Sequence, residues 1–209
     1  MNSKRVASLA GAAVLALMVL VPSVAQSAVF YTDPGEVKIT AKNLVTAHGA
    51  VTFTFAGGAL KVGPCSAHAD GFVWNEGATP RATWGKYNFG APCNTNLPGC
   101  EATEVTDPET EGEEEWSFSF SGEEERESEL EGVETTIDFG AACGAYGLPG
   151  GIVVKGSLKG LWTKNACIFH NKSGDLKDQN GNPVAVDGEV CTTDVKNGVP
   201  QGKETITYK

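Results

Sequence analysis

Apolar and polar residues alternate with a period of two along nearly every stretch between the turns of this chain, and nothing of comparable length repeats at the helical period. Successive side chains of an extended strand point to opposite faces, so such alternation encodes half-buried strands. Val51, Phe53 and Phe55 alternate with Thr52 and Thr54, and Gly57-Gly58 then turns the chain into Ala59-Leu60-Lys61-Val62. Val37 to Ala41, Phe72 to Trp74, Thr83 to Phe89 and Val133 to Phe139 read the same way. So do Ile152 to Lys155 and Ser157 to Thr163 on either side of Gly156, and Ala166 to His170, Val184 to Val186, Glu189 to Thr193 and Glu204 to Tyr208. The best helix by composition, Glu123 to Glu131, is opposed by its own carboxylates repelling at i and i+4 and by Gly122 and Gly132 at its ends. About ten short, turn-punctuated strands predict an all-β, antiparallel fold. A β-sandwich is preferred, because small sandwiches tolerate long insertions at their ends, with a barrel as the alternative.

One insertion dominates the charge. Residues 101–134 carry fifteen carboxylates and a single base, Arg126, while the rest of the chain is close to balanced. Within it Trp116, Phe118 and Phe120 alternate with Ser117, Ser119 and Ser121, a pattern for which a disordered acidic tail has no use. The reading is a hairpin with arms at Trp116 to Phe120 and Val133 to Phe139. Gly122 to Gly132 forms its charged tip, and Glu101 to Glu115 is a mobile lead-in loop. Such a field repels phosphate backbones, so nucleic acid is excluded as a partner.

The N-terminus combines Lys4 and Arg5, an apolar run from Ala7 to Val21, and the small residues Ser23-Val24-Ala25. This is the form of an export signal, too short to span a membrane comfortably, and it places cleavage after Ala25. The expected organisation is a signal peptide over 1–25 and a single all-β domain over 26–209, carrying the acidic insertion at 101–134. No stable membrane insertion is expected after cleavage, and the expected location is secreted or at a bacterial cell surface. The six cysteines, Cys65, Cys93, Cys100, Cys143, Cys167 and Cys191, all lie in the exported part and imply disulfides. Nearest-neighbour pairing, 65–93, 100–143 and 167–191, is favoured, with a local Cys93–Cys100 bridge as the rival.

Candidate chemistry is sparse. Cys65, His68, Cys167 and His170 have a zinc-like composition, but residues three apart in a strand face opposite ways and export favours oxidised cysteines. Asp178, Asn180, Asn182 and Glu189 imitate a calcium loop with Pro183 where the turn glycine belongs, so a tight Asn180-Gly181 turn is the better reading. No nucleophile elbow, metalloprotease helix or phosphate loop occurs. The chain therefore reads as non-enzymatic, without a cofactor or a resident metal, the alternative being a small secreted hydrolase using paired carboxylates. Trp74, Trp84 and Trp162 could form an exposed aromatic face for a glycan, so a carbohydrate-binding module is a further alternative. A glycan or a surface protein is the expected kind of partner.

From Cys65 the chain reads C-x6-FVWNEG and then YNFGAPC-x6-C. With the export signal and the threonine-rich strand before it, this resembles secreted, cysteine-containing, β-rich proteins of unknown function from actinobacteria. The resemblance covers about the first half of the exported chain. It implies an exported β-protein with disulfides and brings no activity with it.

Overall fold

The alternation folds into strands that wrap into a closed barrel. The computed structural model describes residues 29–32, 35–90, 92–106, 116–121, 127–148, 150–170, 175–202 and 205–209. The expected export signal lies outside them, as do residues 107–115 and 122–126 of the acidic insertion. In chain order the strands are β1 (Phe30–Thr32), β2 (Val37–Lys38), β3 (Asn43–Phe55), β4 (Leu60–Glu76) and β5 (Thr79–Gly90). There follow β6 (Cys93–Asn94), β7 (Glu101–Thr106), β8 (Trp116–Ser121), β9 (Glu127–Phe139) and β10 (Gly151–Trp162). Last come β11 (Cys167–His170), β12 (Lys177–Asp178), β13 (Val184–Lys196), β14 (Val199–Pro200) and β15 (Ile206–Tyr208).

Eight of these, β3, β4, β5, β8, β9, β10, β11 and β13, each pair antiparallel with the next, and β13 returns to β3 from Val184↔Phe55 to Asp194↔Val45. The all-β, disulfide-bearing class matches expectation, and of the two architectures the chain adopts the barrel rather than the preferred sandwich. The deciding contact is β9 against β10, paired from Gly151↔Asp138 to Leu161↔Glu127, which leaves the wall without the free edges a sandwich has. Short strands complete three wall positions. Thr95, just beyond β6, bridges Val62 on β4, so β6 prolongs the position of β5; β7 pairs β9 beyond the end of β8, and β12 pairs β10 beyond β11.

Bulges bend the wall. On β9, Glu131 and Gly132 together face the single Ser157 of β10, and Gly132 takes the left-handed conformation (φ 74°) that such a bulge requires. The inward set thereby changes from Ser128 and Leu130 to Val133, Thr135 and Ile137. β9 thus begins at Glu127, and Glu127 to Gly132 belong to a strand rather than to the expected charged tip. Likewise Glu101 to Thr106 is β7, not part of a mobile lead-in loop. Glutamates are tolerated in β9 because they project outward, two of them against lysines of β10. Glu134 lies 2.6 Å from Lys155, its register partner, and Glu129 lies 4.0 Å from Lys159 and accepts from the Ser157 hydroxyl.

One end of the barrel is stoppered. The small sheet β15-β1-β2 brings Phe30 and Tyr208 against Trp162 and Phe120, which pack in turn on Phe118 and Trp84, with Phe30 to Trp162 at 5.2 Å and Trp84 to Phe118 at 4.7 Å between ring centroids. Asn75, buried at the end of β4, straps this sheet on. Its Oδ1 accepts from Phe30 N (2.9 Å), and its Nδ2 donates to Phe30 O (2.8 Å) and Ile39 O (2.7 Å). Asn75→Ala removes all three bonds, leaving Phe30 O only its bond from Ile39 N–H, and is expected to cost about 2–3 kcal/mol, seen as a thermal midpoint lowered by about 5–10 °C.

The cysteines form Cys65–Cys93, Cys100–Cys143 and Cys167–Cys191, the nearest-neighbour set, and the local Cys93–Cys100 bridge is not made. No helix among the described residues is long and apolar enough to cross a membrane.

Candidate functional site

Beside the aromatic stopper the barrel is not filled. Leu158 sits four residues before Trp162 on β10, and Leu130 two residues after Ser128, whose hydroxyl accepts the Trp162 indole N–H at 2.8 Å. Between them and Val51 and Phe53 of β3 lies a cavity, bounded further by Val133 and Thr135 of β9, Val186 of β13 and Leu176. Its enclosed part is small, about the size of one water, and together with its opening to solvent the recess measures about 380 Å³. These residues are buried, whereas the last two described lining groups, Phe89 and Trp116, are only partly buried and mark the mouth. The mouth lies where the β5–β8 ladder ends, at Trp84↔Trp116. Phe53 packs edge-on against Phe89 with ring centroids 5.7 Å apart.

Among the described lining residues the one hydroxyl is that of Thr135, which donates to Thr106 O at 3.1 Å. A buried water needs about two to four polar partners, and here it would find one. The cavity is therefore suited to an apolar occupant. Eight-stranded barrels are of the size that either fills with side chains or holds one small ligand. No family model, curated protein or solved structure matches the chain significantly. The site is accordingly read from its own geometry.

The tryptophans expected to share an exposed face do not. Trp84 and Trp162 are 0% and 2% exposed inside the barrel, while Trp74 lies half-buried on the outer side with the Lys42 ammonium 4.9 Å above its ring. Parity explains the separation: Val73 and Asn75 point inward on β4, so Trp74 between them points out. The aromatic glycan platform is thus absent as drawn. Trp116, which sequence reasoning placed only in a hairpin arm, is the tryptophan at the mouth. Its alternation with Phe118 and Phe120 is the signal that it faces inward.

The remaining motifs resolve structurally. Cys65 and Cys167 are bonded to Cys93 and Cys191, which removes the zinc set. Cys167, Glu189 and Cys191 cluster, but the two sulfurs are bonded to each other and offer no thiolate. The Asp178 carboxylate accepts from Asn182 Nδ2 (2.9 Å) and from the backbone N–H of Asn182 and Asn180 (2.8 Å each). Those bonds, the side-chain amide foremost, hold it below the usual carboxylate range and close the turn. Asp178 therefore serves the Asn180-Gly181 turn, as expected.

Proposed function

We propose that this protein is an exported, non-enzymatic binding barrel that takes a small apolar molecule, neutral or cationic, into the cavity between Phe89 and Trp116. The observation that carries the reading is the unfilled apolar recess itself, inside a closed wall and open beside two aromatic rings. Among the described residues its lining supplies no carboxylate, imidazole or nucleophile for proton transfer, and the Thr135 hydroxyl is engaged by Thr106. The carboxylates of β9 that a hydrolase would need face outward, where Glu134 and Glu129 meet lysines. Export is supported by the N-terminal signal pattern and by three disulfides. The sign of the ligand follows from Glu113, Glu114 and Glu115, which directly precede Trp116 in sequence. Together with the formal net charge of −10, a run of carboxylates adjoining this residue in sequence sets up a negative field that disfavours an anionic head and is screened by salt.

Titration with the neutral fluorophore N-phenyl-1-naphthylamine tests this. The expected result is saturable binding, weakened about ten-fold or more by Leu158→Phe, which fills the recess while remaining apolar. The anionic 8-anilinonaphthalene-1-sulfonate is expected to bind more weakly, with the difference shrinking in high salt. Binding indifferent to Leu158→Phe, or no binding of the neutral probe, would overturn the proposal.

A further inference from the structure

The opposite, outer face of the β3–β4 ladder carries a feature unconnected with the cavity. His48 and His68 are direct cross-strand partners, with rings stacked at 5.4 Å between centroids and 26° between planes. Their Nδ1 atoms are 3.3 Å apart. Behind His68, Asp70 Oδ1 lies 3.7 Å from Nε2. A carboxylate in that place favours the proton on Nε2, leaving the Nδ1 lone pair directed towards His48. Thr46 Oγ1 is 3.5 Å from the same Nδ1 and lies 3.4 Å from the Ala69 carbonyl, to which it donates.

Two ligands at the usual zinc–imidazole distance of about 2.0–2.1 Å in a tetrahedral shell stand about 3.3 Å apart. That is the separation found here. We propose that His48 and His68 bind one divalent transition-metal ion of the imidazole-preferring kind, zinc or copper, through both Nδ1 atoms. Asp70 acts as the positioning carboxylate behind His68, and water completes the shell. Without metal the same geometry is an Nδ1–H···Nδ1 hydrogen bond from His48. Binding shifts that proton to His48 Nε2 and puts the ion in its place. The site is pre-ordered because both imidazoles stand on strands paired on both flanks: β3 lies between β13 and β4, and β4 between β3 and β5.

The test is calorimetric titration of the untagged full chain with Zn²⁺, alongside electron paramagnetic resonance with Cu²⁺. One ion per chain is expected, with two imidazole nitrogens coupled to the copper signal. His48→Asn and His68→Asn are each expected to weaken binding about ten-fold or more, and Asp70→Asn about ten-fold, while His170→Asn changes nothing. The wild-type copper spectrum needs no variant to fold, so it decides alone if a substitution impairs expression. A one-nitrogen spectrum, no heat with Zn²⁺, or affinity unchanged in the His48 and His68 variants would overturn the site.

Discussion

Protein whose three disulfides have been reduced under mild denaturant is expected to stay unfolded when the denaturant is removed. The bridges close loops spanning 28, 43 and 24 residues, and constraining the unfolded chain over such lengths is worth about 3.5–4 kcal/mol each. Together that is about 11 kcal/mol, the size of the whole stability of a typical domain at about 5–15 kcal/mol. Removed singly, the Cys100–Cys143 bridge closes the longest loop and is expected to cost most, about 4 kcal/mol for the paired alanine substitution. Far-ultraviolet circular dichroism with thiol titration checks this. A native spectrum with six titratable thiols would contradict it.

Trp162→Ala is expected to be the most damaging single substitution in the barrel interior, costing about 3–5 kcal/mol and lowering the thermal midpoint by about 6–20 °C. Trp162 contacts Phe30, Phe118, Phe120, Trp84 and Tyr208, so it joins the wall strands to the small sheet that closes the end. Its removal leaves a large hole and frees the buried Ser128 hydroxyl. Trp74→Ala removes a ring of the same size that is only half-buried on the outer side of the wall, and a much smaller loss of about 1 kcal/mol is expected. Urea unfolding of the two variants side by side measures the contrast, and equal losses would contradict the assignment of the faces.

Much of the wall was legible because period two is a local signal. Val51 to Phe55, Trp116 to Phe120 and Val133 to Phe139 are strands as read. Closure was not legible, since an inward-facing strand alternates identically in a sandwich and a barrel. What separates them is the pairing of β9 with β10, whose register depends on the bulge at Glu131-Gly132. The charged tip was misplaced for a related reason: glutamates at 127, 129 and 131 look like loop residues until β10 is set beside them, where Lys159 is the register partner of Glu129.

The histidine pair shows the same limit more sharply. Phe55 opposes Leu60 next to the hairpin, and unbroken pairing from there would set His48 against the inward Ala67. The extra residue at Gly63-Pro64 shifts the register by one and sets His48 against His68 on the outer face. The cavity was equally hidden, because nothing in the sequence says which apolar side chains fail to meet in the middle. Leu158, Val133 and Val186 come from three strands, and only their relative register leaves space between them.

The most direct test of the central claim, that the barrel holds an apolar molecule in this recess, is to locate a bound one. Methyl-labelled protein saturated with N-phenyl-1-naphthylamine should give intermolecular nuclear Overhauser contacts from the naphthyl ring to the methyl groups of Leu130, Val133, Leu158 and Val186. Contacts confined to exposed groups such as Val37, Leu44 and Val199, with those four methyls silent, would contradict it.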